Sequence, residues 1–241
     1  MKAMVLAAGL GARLRPLTGS RPKALVEIAG RTLLEITLSR LRGLGINDVI
    51  INVHHFAGMM LEYLKTNDNF GMRIEVSREE VLLDTGGGLK KAAWFFQDVE
   101  EPFILHNVDV ISTIDLHRMV RFHSEQRALA TLAVQDRKTS RPLLFDDHLQ
   151  LCGRQRDDKT ELARSSQTLQ SLAFSGIHVI SPRLLPMIAE EGVFSIITSY
   201  LSLAARGEKI LAFRADEYYW RDLGKPENVV QAEHEIQGQW E

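Results

Sequence analysis

The stretch LAAGLGARLRPLTGSRPKAL, Leu6 to Leu25, decides how this chain reads. An apolar strand from Lys2 to Ala7 runs into Ala8, Gly9 and Gly11, residues small enough for backbone N–H groups to approach a phosphate with no side chain in the way. Cations follow at once. Arg13 can fork onto phosphate oxygens and Lys23 supplies a compact charge, a pair suited to a reaction whose barrier is charge on phosphorus. A dinucleotide-binding turn also contains GxG, but its third glycine is missing at Leu14, and the segment is not a Walker A loop. The Arg and Pro-Lys positions make phosphate binding the stronger reading.

Working outward, apolar Val, Ile and Leu runs alternate with segments of helical period, as when helices cover a largely parallel sheet. Leu33 to Leu44 reads as a helix with Leu34, Leu38 and Leu41 on one face, stopped by Gly43 and Gly45. Strands are expected at Asp48 to Asn52, Arg73 to Ser77 and Phe103 to His106, with helices over Phe56 to Lys65 and from the glycine run near Gly86. After a helix over Asp115 to Glu125 the pattern shifts to strands at Ala130 to Val134, Leu143 to Asp146 and Leu149 to Cys152, the last two forming a hairpin. Arg154 to Gln170 lacks periodicity and reads as a mobile loop. Ala173 to Ile180, Ile210 to Arg214 and Tyr219 to Leu223 are strands, Ser195 to Ala205 is a helix, and Pro226 suits the first turn of another. The expected class is α/β, a Rossmann-like three-layer α/β/α arrangement with a mixed, mainly parallel sheet.

At 241 residues and 45% hydrophobic content, the default is one domain over 1–241, with a first half near 1–125 whose alternation looks nucleotide-binding and a second near 126–241. The net charge of -2 comes from 29 basic and 31 acidic residues without long runs of either sign, which disfavours nucleic acid as a partner. Cys152 is the sole cysteine, so an intramolecular disulfide and a cysteine-rich zinc site are excluded, and a reducing, cytoplasmic setting fits. The apolar start is too short for a secretion signal and is interrupted by Arg13 and Arg15. No run of about eighteen apolar residues suggests a membrane span.

With LAAGLGARLRPLT at Leu6 to Thr18 and PKALVEIAG at Pro22 to Gly30, the chain resembles the sugar-1-phosphate nucleotidyltransferases, or sugar-nucleotide pyrophosphorylases. The resemblance continues through Asn52, DTGGGLKKA from Asp84 to Ala92, HNVDV from His106 to Val110, FSGIHVIS from Phe174 to Ser181 and YWRDLGKPE from Tyr219 to Glu227. It implies transfer of a nucleotidyl group from UTP or GTP to a sugar 1-phosphate, with Mg²⁺ as cofactor. Arg13 and Lys23 become the catalytic phosphate ligands, and Asp109 and Asp222 the metal ligands, since two hard carboxylate oxygens suit Mg²⁺. Leu6, Ala7, Ala8, Gly9, Gly11, Ala12, Thr85, Gly86, Gly87 and Asn107 become nucleotide-binding positions. Ser175 and Gly176, which Asn107 also resembles in bordering the sugar phosphate, become sugar-phosphate positions.

Each of these has a plainer reading. Asp109 could be a solvated strand-end acid, Asp222 a helix cap, the glycine run a flexible turn, and Ser175 and Gly176 relief where a strand crosses a sheet. His54 and His55 are adjacent but point apart in a strand, and serve loop structure better than a metal. Val108 departs from the family's NGD motif, placing a side chain where glycine is usual. No hexapeptide-repeat pattern follows the last helix, so a minimal catalytic unit is expected. Within the family, the length, DTGGG and FSGIHVIS look most similar to N-acetylmuramic acid 1-phosphate uridylyltransferases, with mannose and heptose guanylyltransferases close behind. A catalytically silent regulatory homologue is a third possibility, and oligomeric state is not legible.

Overall fold

The computed structural model describes residues 1–156 and 159–236. They form two compact units built from interleaved stretches of chain. One comprises Lys2–Leu82, His106–Thr113 and the chain from Trp220 on; the other comprises Leu83–Leu105 and Ile114–Tyr219, with Met1.

The first unit is the parallel one. Lys2–Leu6 pairs with Asp48–Val53, and that strand with Arg73–Arg78, both parallel. Ala3, Met4, Val5, Val49, Ile50 and Ile51 are fully buried, which is why these strands read as continuous apolar runs rather than alternating ones. The helix Leu33–Gly43 begins where Thr32 Oγ1 accepts from Glu35 N–H at 3.1 Å and buries Leu34, Leu38 and Leu41. Ala57–Thr66 buries Met60 and Leu64. A short hairpin, Glu27–Ile28 against Arg31–Thr32, turns through Ala29 and Gly30 at positive φ. Two residue pairs leave no periodicity to read, and the sequence reading passed over it.

Two later pieces of chain complete this unit. Val110–Ser112 pairs antiparallel with Trp220–Asp222, Asp222 lying opposite Val110, and the helix Pro226–Ile236 follows. This ribbon joins segments that are remote in sequence, and it positions the site.

In the second unit Ala130–Gln135 lies between Gln170–Ile180, antiparallel, and Ile210–Arg214, parallel. Leu116–Gln126 is capped by Asp115, whose Oδ1 accepts from Arg118 N–H at 2.9 Å, and Ser195 caps Ile196–Ala205. Leu143–Phe145 and Leu151–Arg156 form the expected hairpin. The segment Arg154 to Gln170 differs from expectation, because Leu151–Arg156 pairs with a further strand, Lys159–Leu162. Lys159–Leu162 is exposed along its whole length, so no apolar alternation marks it; ladder hydrogen bonds and the Arg154–Glu161 pair at 2.8 Å hold it instead. Asp157 and Asp158 lie outside the described residues. Helices thus alternate with a mixed sheet, the α/β class expected. No described helix is long and apolar enough to cross a membrane.

Candidate active site

The candidate phosphate loop begins where Lys2–Leu6 ends. Gly11 has φ +62°, and a Cβ there would lie 2.9 Å from Thr18 Cγ2 and 3.2 Å from Lys23 Cβ. Only glycine meets both conditions without strain. Its carbonyl accepts from Leu14 N–H at 2.8 Å and from Thr18 Oγ1 at 2.7 Å, closing the short 3₁₀ turn Ala12–Leu14 that presents Arg13. Gly9 is exposed, with nothing within 4 Å of where its Cβ would be. Leu6 O accepts from Val108 N–H at 3.1 Å, tying the loop to the segment that carries Asp109. Val108 itself is buried at 4% exposure, so the side chain that departs from the motif packs inward.

Lys23 Nζ forms an ion pair with Asp109 Oδ2, with both side chains largely buried. Asp109 O accepts from Leu223 N–H at 2.8 Å, continuing the ribbon pairing past Asp222. Asp222 Oδ1 accepts from Gly224 N–H, and its carbonyl accepts from Asn228 Nδ2 at 2.7 Å. A Cβ on Gly224 would lie 2.6 Å from Asp222 Oδ1 and 2.9 Å from Arg13 Nη2, so this glycine is the contact surface between the guanidinium and the carboxylate. Burial raises the pKa of Asp222, and the Asp109 carboxylate raises it further, against the opposing pull of Lys23, Gly224 N–H and Arg13. Two neighbouring acids and two cations from three separate stretches of sequence therefore converge.

Among the described residues no group of three or more His, Cys, Asp or Glu is placed to hold a metal. Asp109 and Asp222 fit Mg²⁺, an ion held by one or two carboxylates with water and substrate phosphate oxygens completing its shell. Their mutual repulsion, visible at Asp222, is what a divalent cation would relieve. His54 and His55 do not converge: His54 Nδ1 lies 2.9 Å from Glu79 O, and the His55 ring packs on Phe56 with centroids 3.9 Å apart. Asn107 ends the strand Phe103–Asn107, its carbonyl 2.8 Å from His106 Nδ1.

The remaining candidates belong to the second unit. Thr85, Gly86 and Gly87 lie in the first turn of the helix Asp84–Lys91. Gly86 and Gly87 N–H both donate to Phe194 O, at 2.9 and 3.2 Å, and Thr85 Oγ1 accepts from Ile196 N–H at 3.0 Å. Ser175 is fully buried and Gly176 has φ +75°, at the irregularity in the pairing of Gln170–Ile180 with Ala130–Gln135.

Residues 2–143 match the family model described as nucleotidyl transferase. The chain belongs to the nucleotidyl transferase family. Within it the relatives are sugar-phosphate enzymes. An N-acetylmuramate alpha-1-phosphate uridylyltransferase of Caulobacter vibrioides is 34% identical, covering 96% of this chain and 95% of the relative. A mannose-1-phosphate guanyltransferase of Yarrowia lipolytica is 28% identical over 95% of this chain, which spans 62% of that protein's length. A UDP-glucose pyrophosphorylase solved with UDP-glucose superposes with a TM-score of 0.80 at 16% identity, covering 99% of this chain and 98% of that one, and shows the shared fold. This nucleotidyl transferase is thereby an enzyme of the sugar-1-phosphate nucleotidyltransferase class.

The burial of two polar groups, one opening the HNVDV segment and one outside the motifs, is not readable from sequence. His106 is 1% exposed, and burial, with the Arg40 guanidinium beside it, lowers its pKa to about 3. Glu79 is 2% exposed and accepts from Asn52 Nδ2 at 2.8 Å. Neither sits at a spacing that marks it in one dimension.

Proposed function

We propose that the chain catalyses Mg²⁺-dependent uridylyl transfer from UTP to N-acetylmuramic acid 1-phosphate, releasing pyrophosphate, in the cytoplasm. The observation that carries this reading is the convergence of Arg13, Lys23, Asp109 and Asp222 beside the phosphate loop. The substrate pair is supported by the likeness to the Caulobacter enzyme over nearly the full length of both chains.

In this reading a phosphate oxygen of the sugar 1-phosphate attacks the α-phosphorus of the triphosphate in line. A new P–O bond forms as the bond from the α-phosphorus to the bridging oxygen breaks, and pyrophosphate departs with that electron pair. The attacking oxygen is already anionic, so no side chain has to remove a proton. What the protein supplies is alignment of two polyanions and compensation of their charge. Arg13, backed by Gly224 and Asp222, and Lys23 face the transferring phosphate; Ala8, Gly9, Gly11 and Ala12 line the triphosphate. Mg²⁺ held by Asp109 and Asp222 would supply charge neutralisation at the phosphate oxygens. Lys23 in the described structure is on Asp109, so in the loaded enzyme the lysine turns to phosphate. Asn107 also serves the nucleotide.

The second reading, a guanylyltransferase acting on mannose or heptose 1-phosphate, is favoured by the Yarrowia relative. A silent regulatory homologue is disfavoured because all four charged residues are present and assembled. Parallel pyrophosphate-release assays decide among them, pairing UTP and GTP with N-acetylmuramic acid, N-acetylglucosamine, mannose and heptose 1-phosphates. The highest kcat/KM is expected for UTP with N-acetylmuramic acid 1-phosphate. A higher value for GTP with mannose or heptose phosphate selects the second reading, and no release with any pair selects the silent homologue.

A further inference from the structure

Leu6 lies opposite Asn52 in the parallel ladder of Lys2–Leu6 and Asp48–Val53. One residue later, Ala7 N–H donates to the Asn52 side chain, Oδ1, at 2.7 Å. Asn52 Nδ2 then donates to Glu79 Oε1 at 2.8 Å. Asn52 is 3% and Glu79 2% exposed, so the connection is sealed from water. Glu79 is fastened in its own right just past Arg73–Arg78: its N–H donates to Val53 O at 2.8 Å, and its carbonyl accepts from His54 Nδ1 at 2.9 Å. A carbonyl only accepts, so His54 carries its proton on Nδ1.

This chain of bonds has a direction. Ala7 N–H can only donate, so the side chain between it and Glu79 accepts on one side through Oδ1 and donates on the other through Nδ2. An asparagine amide does both from one rigid plane. Aspartate has the same size but would set a second carboxylate against Glu79.

We propose that Asn52 is a positioning residue for nucleotidyl transfer. Through Glu79 it fixes the entry to the phosphate loop at Ala7, and so sets where Ala8, Gly9 and Gly11 face the triphosphate. The inference rests on reading Leu6–Ala12 as the triphosphate cradle. It also withdraws Ala7 N–H from the amides offered to the nucleotide, since that donor is committed to Asn52.

Reversing the polarity of the clamp tests it. In the Asn52→Asp, Glu79→Gln double variant, the new carboxylate accepts both Ala7 N–H and the Gln amide, so the Ala7 bond keeps its sense and the bond between positions 52 and 79 is restored in the opposite one. Asn52→Asp alone should lower kcat for pyrophosphate release by about tenfold to a hundredfold while the sugar-phosphate KM moves less than about threefold, the signature of misplaced reacting groups. The double variant should recover to within about fivefold of wild type. Amide hydrogen exchange at Ala7, read by ¹⁵N NMR, should be slow in wild type and the double variant and fast in Asn52→Ala. A double variant no more active than Asn52→Asp overturns the proposal. Where Asn52→Asp is too unstable to assay, a folded, active double variant supports the clamp, and a double variant as unstable as the single overturns it. A wild type inactive across the substrate panel removes the functional reading and the positioning role with it. An active wild type without rescue removes only the clamp.

Discussion

Two glycine-rich turns, Gly9–Gly11 and Gly86–Gly88, look alike in sequence and do different physical work. In the first, Gly9 is exposed with open space beside it, and Gly11 is demanded by a left-handed turn packed against Thr18 and Lys23. In the second, all three glycines are buried, the Gly86 and Gly87 amides are given to Phe194 O, and a Cβ on Gly87 would lie 2.4 Å from Gly192 O. Glycine richness thus marks close backbone approach without saying whether the approaching partner is a ligand or the protein itself. Charge separates the two cases here: Arg13, Lys23, Asp109 and Asp222 gather around the first turn.

The largest effects should break the first region's chemistry while leaving its fold. Asp109→Asn and Asp222→Asn keep side-chain size and remove the charge that would hold Mg²⁺, so turnover should fall strongly with the fold intact, while Asp109→Asn also leaves the buried Lys23 without its partner and should lower the melting temperature. Arg13→Ala and Lys23→Ala should each cost about 3 kcal/mol in the transition state, roughly a hundredfold in kcat, exceeding any change in sugar KM. Near-normal turnover of both aspartate variants at ordinary Mg²⁺ sinks the metal assignment, and an effect confined to KM contradicts the roles of the cations.

An intermediate effect sharpens the contrast itself. A Gly→Ala exchange within a helix ordinarily gains up to about 1 kcal/mol from helix propensity. In Gly87→Ala the new methyl meets a backbone carbonyl that cannot swing aside, and overpacking of this kind costs about 1–3 kcal/mol. Chemical denaturation should therefore show net destabilisation of Gly87→Ala, whereas Gly9→Ala, meeting nothing, should unfold within about 0.5 kcal/mol of wild type. Equal stability losses in the two variants would erase the distinction drawn here.

The last test compares one buried histidine from each unit. His106 and His123 titrate near about 3 and about 4 against an ordinary 6.5, both held down chiefly by burial. Ser181 Oγ donates to Ala128 O at 2.9 Å, so His123 Nε2–H must donate to Ser181, leaving Nδ1 to accept from Thr131 Oγ1 at 2.9 Å in a neutral ring. Below the ordinary value the unfolded chain takes up protons that the folded chain refuses. Stability is therefore complete above about pH 6.5 and falls as pH drops, by up to about 1.4 kcal/mol per pH unit for each group. Urea midpoints from about pH 7.5 to 5.5 should decline accordingly, and a flat profile would mean that neither ring is buried neutral.

The strand and helix alternation and the glycine loop after the first strand were legible in sequence because their signals are local: apolar runs, helical period, and glycines followed by cations. Lys159–Leu162 was not legible, since an exposed strand held by ladder bonds carries no apolar period. Nor were Glu79 and His106, whose burial depends on what packs over them. The sequence by itself determined which residues could handle phosphate and metal, because residue type fixes charge, size and backbone freedom. Only the tertiary structure decided that Asp109 and Asp222 meet, since pairing Val110–Ser112 with Trp220–Asp222 closes a loop of over a hundred residues that no local pattern encodes. It also decided that Asn52 is committed to Ala7 and Glu79, because a hydrogen bond is a matter of distance and direction between groups that the chain brings together only when folded.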